Sequence, residues 1–94
     1  MFLKKNKNLK FSKCIWLNLR EKRKFVVKDL MQRELLLNMT KKEVIDFLGF
    51  EFNDSNSNIW TYFVGKKYYV FFAKRRFLTI FFDKQGLVYK TKYN

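Results

Sequence analysis

The apolar residues of this chain change their spacing once, near residue 53, and that change limits the folds open to it. Upstream, Val27, Leu30, Met31 and Leu35 recur close to the helical period, with Val26 and Leu37 at the margins of the stripe. Downstream, from Ile59, apolar residues alternate with a period of two, as on a strand. Asn53-Asp54-Ser55-Asn56-Ser57-Asn58 lies between, a loop by composition. A helical half followed by a strand half, in 94 residues, leaves room for one domain of the α+β class.

The local signals divide each half further. A first helix is expected over Arg20–Leu36, stopped by Asn38, the non-glycine residue that most readily takes the left-handed conformation. A second begins at Thr40-Lys41-Lys42-Glu43, a capping box in which Thr40 caps the Glu43 amide and Glu43 reaches back. Met39 and Val44 stand where a hydrophobic staple would form, and Gly49 stands where a helix C-terminus wants positive φ. Ile59–Val64, Tyr68–Phe72, Phe77–Phe82 and Leu87–Tyr93 read as strands, with Gly65 ending the first. Asp83-Lys84-Gln85-Gly86 supplies a hairpin turn. The expected architecture is two helices on one face of a three- to four-stranded antiparallel meander. Residues 1–15 read as a basic, poorly ordered tail, and 16–94 as the helix–helix–sheet domain.

The net charge of +13 is unevenly spread: +9 over residues 1–28, −3 over 29–64 and +7 over 65–94. Cationic ends point to a polyanionic partner or an anionic membrane surface. Lys outnumbers Arg sixteen to five, which is also the bias of an AT-rich coding sequence. Compositional drift and a selected basic surface therefore both account for the charge. Cys14 is the single cysteine, so it forms no internal disulfide and assigns no redox compartment. The apolar run that an export signal requires does not precede it, which predicts cytoplasmic residence; a start further upstream with such a run would make a cell-envelope lipoprotein.

Catalysis finds no footing in the residues. The chain has no His, and one Cys cannot build a zinc site. Ser12, Ser55 and Ser57 lie in a basic tail and a polar loop without nucleophile-elbow spacing. Asp46 lies one turn from Glu43, but Glu43 is already explained as a cap. No cofactor, metal site or catalytic residue is expected.

Several segments together carry a resemblance. Trp16; Arg23, Val26-Val27 and Asp29-Leu30; the run Leu37-Asn38-Met39-Thr40-Lys41-Lys42-Glu43-Val44-Ile45 with Leu48-Gly49; Trp60 to Gly65; and Leu78 to Val88 resemble the SmpA/OmlA (BamE-like) family, of the beta-lactamase-inhibitor-protein-like fold. The resemblance covers Trp16 to the C-terminus and is most specific in the Met-Thr-x-x-Glu-Val-Ile segment. Asn38 stands where members usually carry Gly, and no Pro follows Leu48-Gly49. The family's fold implies two packed helices against an antiparallel sheet. Its function implies protein–protein contact in assembly, inhibition or scaffolding.

Alternation places Trp60, Tyr62 and Val64 on one face of the first strand and Ile59, Thr61 and Phe63 on the other. Both sets hold aromatics, so the face turned away from the helices stays apolar and marks an interaction surface. Trp60 and Tyr62, with the flanking Lys66, Lys67, Arg75 and Arg76, are the expected partner-binding residues. Thr40, Glu43, Gly49 and Gly86 are expected to be structural. The leading partner is a protein with an acidic surface, and an anionic membrane surface is its companion. Nucleic acid is the alternative, since Lys66 to Phe77 interleaves cations with aromatics as stacking platforms do.

Overall fold

In the computed structural model, which describes residues 9–94, chain order runs from helices into an α+β sheet. The helices are α1 (Lys13–Asn18), α2 (Arg23–Gln32) and α3 (Lys41–Leu48), with a 3-10 turn over Arg20–Lys22 leading into α2. The strands are β1 (Ile59–Tyr68), β2 (Ala73–Phe82) and β3 (Val88–Tyr93), an antiparallel meander in that order.

The domain begins earlier than residue 16. Ser12 caps α1 by accepting from the Ile15 amide, and Phe11 stacks on Phe47 of α3 at 4.8 Å. The Phe11 amide donates to Asp29 Oδ2 at 2.6 Å, and the Leu9 amide to the Phe25 carbonyl at 2.7 Å. Residues 9–15 of the expected tail are thus part of the domain, with Leu9 and Phe11 tied to α2 and residues 12–15 opening α1; residues 1–8 lie outside the described part. The Asp29 carboxyl, bonded to Arg33 and to the Phe11 amide, is held below its usual pKa.

α2 stops at Gln32, four residues short of the expected Leu36. Glu34 takes φ of 52°, its amide donates to the Met31 carbonyl, and the Leu35 amide reaches back to Leu30. That is a Schellman ending with Glu34 in the position glycine usually holds. The break resets the apolar frame, so Leu36 is buried while Leu37 faces outward. Asn38 does adopt positive φ, 67°, but it ends no helix. It turns the chain onto β3, where the Asn38 amide donates to the Val88 carbonyl and the Val88 amide to Met39.

α3 forms as its capping box dictates. Thr40 Oγ1 accepts from the Glu43 amide at 3.1 Å, and the Thr40 amide donates to Glu43 Oε1 at 2.8 Å. Gly49 follows at φ 85°. Val44 and Leu48 enter the core, which also holds Trp16, Trp60, Tyr62, Leu78 and Ile80.

The strand set differs from expectation in one place. β1 runs through Gly65 rather than stopping there, and Tyr68–Phe72 is not a strand. Tyr68 pairs with Ala73, and Tyr69 to Phe72 form the hairpin tip, closed by the Tyr69 amide donating to the Phe72 carbonyl at 2.7 Å. Gly65 sits instead beside a β-bulge: Phe63 faces Phe77 and Gly65 faces Arg76, leaving Val64 unmatched. The β2–β3 turn is as expected. Gly86 has φ of 82°, and Asp83 Oδ1 accepts from the Gln85 and Leu87 amides.

Arg23 ties these parts together. It is buried, with its guanidinium 4.5 Å over the Trp16 ring. Its Nε donates to the Trp16 carbonyl at 2.8 Å and its Nη1 to the Phe63 carbonyl at 3.0 Å, and it pairs with Glu51. Burial lowers its pKa below the ordinary value, and the Glu51 hydrogen bond opposes that shift. Beside it, the Tyr62 hydroxyl donates to the Gly49 carbonyl at 2.7 Å, and burial drives its pKa well above the usual 10.0.

Two outcomes follow from this centre. Arg23→Met leaves Glu51 and two carbonyls without a partner and should lower unfolding free energy by about 3–5 kcal/mol in urea. A loss under about 1 kcal/mol would remove Arg23 from that role. Tyr62 binds its proton more tightly folded than unfolded, so its contribution is complete below pH 10.0 and is lost as pH rises above it. Melting temperature should therefore fall less steeply above that pH in Tyr62→Phe than in the native chain; equal slopes would contradict the assignment.

Candidate functional site

Over residues 59–64 of β1 and 77–82 of β2 the sheet has one covered face and one open face. Trp60, Tyr62 and Val64 of β1, with Leu78, Ile80 and Phe82 of β2, point under the helices and are buried. Trp60 and Tyr62 are 0% exposed, so neither reaches a partner. This corrects their expected partner-binding role. Trp60 donates its indole N–H to the Asp54 carbonyl, and its ring meets Phe50 and Phe82 edge-on.

The opposite frame supplies the open face. Ile59 pairs with Phe81, Thr61 with Thr79 and Phe63 with Phe77, so these six share one surface. Lys90 and Lys92 of β3 continue it beside Phe81 and Thr79. Tyr89, bulged out of register, lies 6.3 Å from the Phe81 ring. Ile59 is 53% exposed and Tyr89 58%, while Phe63 and Phe81 are half-buried. Cations lean on this surface: Lys90 Nζ stands 5.3 Å from the Phe81 centroid and Arg20 5.8 Å from Phe63.

The free edge of β1 is closed by side chains along its first half. Ser57 Oγ accepts from the Ile59 amide and donates to its carbonyl. The Asn53 side chain accepts from the Thr61 amide at 3.0 Å and donates to its carbonyl at 3.0 Å. Arg23 takes the Phe63 carbonyl. A partner strand therefore finds the edge groups of Ile59 and Thr61 and the Phe63 carbonyl already paired. The face, rather than this edge, is the accessible surface of the sheet.

Beyond Gly65, residues 66–75 of the β1–β2 ribbon are exposed, although Lys66 and Tyr68 still line a groove with Arg20, Glu21 and Lys24. Lys66 pairs with Arg75 and Lys67 with Lys74. Cross-strand partners share a face and successive pairs alternate, so two cations emerge on each side of the ribbon. Lys66, Lys67 and Arg75 are exposed. Arg76 is half-buried, its guanidinium 4.4 Å over the Tyr93 ring. At the tip, Val70 is 89% and Phe71 94% exposed. Sequence reasoning missed this tip because five apolar residues in a row score as a strand. The flanking cations, which pair symmetrically about Tyr69–Phe72, were the signal that a turn falls there.

Among the described residues, no three His, Cys, Asp or Glu side chains gather as a metal site would need, and no helix is long and apolar enough to cross a membrane. No family model matches the chain, and neither does any curated protein or solved structure.

Proposed function

We propose that this chain is a non-catalytic protein-binding domain resembling the SmpA/OmlA (BamE-like) assembly or scaffold proteins, and that it docks its partner on the open face of the sheet. The observation that carries the reading is the uncovered apolar surface of Ile59, Phe63, Phe77, Phe81 and Tyr89 on an otherwise well-packed small domain. A contiguous apolar patch on a soluble surface is a mark of an interface. Lys90 and Lys92 along its β3 side favour a partner whose contact rim is acidic.

Basic nucleic-acid binding is the second reading, on the observation that cations sit against aromatic faces at Phe81 and Phe63. The two readings separate by experiment. Affinity capture from the native host, comparing the full chain with Ile59→Ser/Tyr89→Ser, is expected to hold a discrete protein that the variant loses. Both positions are more than half exposed, so the variant should melt like the parent. Capture of no protein, or equal capture by both chains, contradicts the proposal. Binding to single-stranded oligonucleotides that falls steeply with salt favours the second reading instead.

A further inference from the structure

We infer that the β1–β2 hairpin tip is a membrane-insertion element, a wedge of apolar side chains that enters the headgroup region of an anionic bilayer. This site is separate from the protein-docking face and does not rest on it. Val70 and Phe71 are the most exposed apolar side chains of the tip, and nothing in the fold packs against them. An isolated pair that exposed makes no structural contribution that would explain its hydrophobicity.

The charges behind the tip fit the same surface. Moving back from the last pair, Tyr68 with Ala73, the ribbon meets Lys67 with Lys74 and then Lys66 with Arg75. At a rise of about 3.3 Å per residue, these cations stand roughly 3–7 Å behind that pair. The apex lies about two residues beyond that pair, so the cations stand roughly 10–13 Å behind Val70 and Phe71. With the apex sunk about 5–10 Å into a bilayer interface, they fall in the headgroup layer. Between Gly65 and Phe77 the chain has no acidic residue. The collar is also two-sided, because the pairs alternate across the ribbon. A flat protein or nucleic-acid partner would meet half of it, whereas a bilayer surrounds an inserted hairpin and meets all of it.

Base stacking is a poorer fit to the tip. The Tyr69 and Phe72 rings stack on each other at 4.7 Å, and Lys67 Nζ lies 5.9 Å from the Tyr69 centroid. Each of those two rings thus has one face turned to the other, and the apex beyond them is an aliphatic Val70 and a lone Phe71. The Tyr68 and Tyr69 hydroxyls at the shoulder suit the interfacial layer that amphipathic rings favour.

The test uses the full chain and vesicles of equal parts phosphatidylcholine and phosphatidylglycerol, beside vesicles of phosphatidylcholine alone. Sedimentation is expected with the mixed vesicles and to be weak or absent with the neutral ones. Val70→Ser/Phe71→Ser should lower the partition constant by about tenfold or more. Lys66→Ala and Lys67→Ala should each lower it by about fivefold. Ile59→Ser/Tyr89→Ser should leave it unchanged, which keeps this outcome distinct from that of the docking face. Phe71→Trp supplies a second readout: Trp16 and Trp60 are fully buried, so a blue shift of emission on adding mixed vesicles reports the tip indole. Three results would overturn the inference. One is no sedimentation with either vesicle, another is a tip variant that binds like the parent, and the third is an emission spectrum of the Phe71→Trp chain unmoved by bound vesicles. Displacement of the chain from vesicles by single-stranded oligonucleotide, lost in the same tip variant, would reassign the hairpin to nucleic acid.

Discussion

The buried Arg23 guanidinium is the interaction through which the layers of this domain are joined. It hydrogen-bonds the carbonyl of Trp16 in α1, belongs to α2, reaches the carbonyl of Phe63 in β1 and pairs with Glu51 in the connection to the sheet. A charge in that position is tolerable only because its donors are met by fixed acceptors and its face is covered by Trp16. The arrangement also fixes which way β1 is turned. With the Phe63 carbonyl held at the edge by Arg23 and the Tyr62 hydroxyl held by Gly49, Trp60, Tyr62 and Val64 can only face inward.

From that one choice of face the accessible surface follows. A strand has a period of two, so burying Trp60, Tyr62 and Val64 of β1 delivers Ile59, Thr61 and Phe63 to the outside. The bulge at Val64 marks the boundary between two regimes. Before it, the sheet is half covered and its edge is stopped by Ser57, Asn53 and Arg23. After it, one side of the ribbon's base still shares a groove with Arg20, Glu21 and Lys24, and further out its exposed side chains are cationic and then apolar. Two surfaces of different chemistry thus sit on one sheet, a flat apolar face and a pointed tip with a basic collar.

Much of this was legible in the sequence, and the parts that were not have specific causes. Thr40 and Glu43 declared the α3 start because a capping box is a local arrangement needing no tertiary context. Gly86 declared its hairpin for the same reason. The end of α2 was misplaced because the stop is Glu34, a residue with no intrinsic preference for positive φ, held there by the burial of Leu36. Similarly, Glu51 and Phe52 form a turn with positive φ although neither residue type favours it; the Arg23 pairing constrains Glu51, and nothing in the structure explains Phe52. The face of β1 was misassigned because both alternating sets carry aromatics, and periodicity alone cannot tell which is covered. The tip resembles a strand in sequence since apolar β-formers occupy it where Gly, Asn or Asp would announce a turn.

A docking role for this chain depends on the helices sheltering a single side of the meander while the other side and the ribbon end stay in water. Hydroxyl-radical footprinting of the free chain, read residue by residue by mass spectrometry, examines that arrangement directly. Rapid oxidation of Phe71, Phe72 and Tyr89, with Trp16, Trp60 and Tyr62 protected, is the expected pattern. Oxidation of Trp60 and Tyr62 as fast as Phe71, or protection of the tip in the isolated chain, would contradict the account.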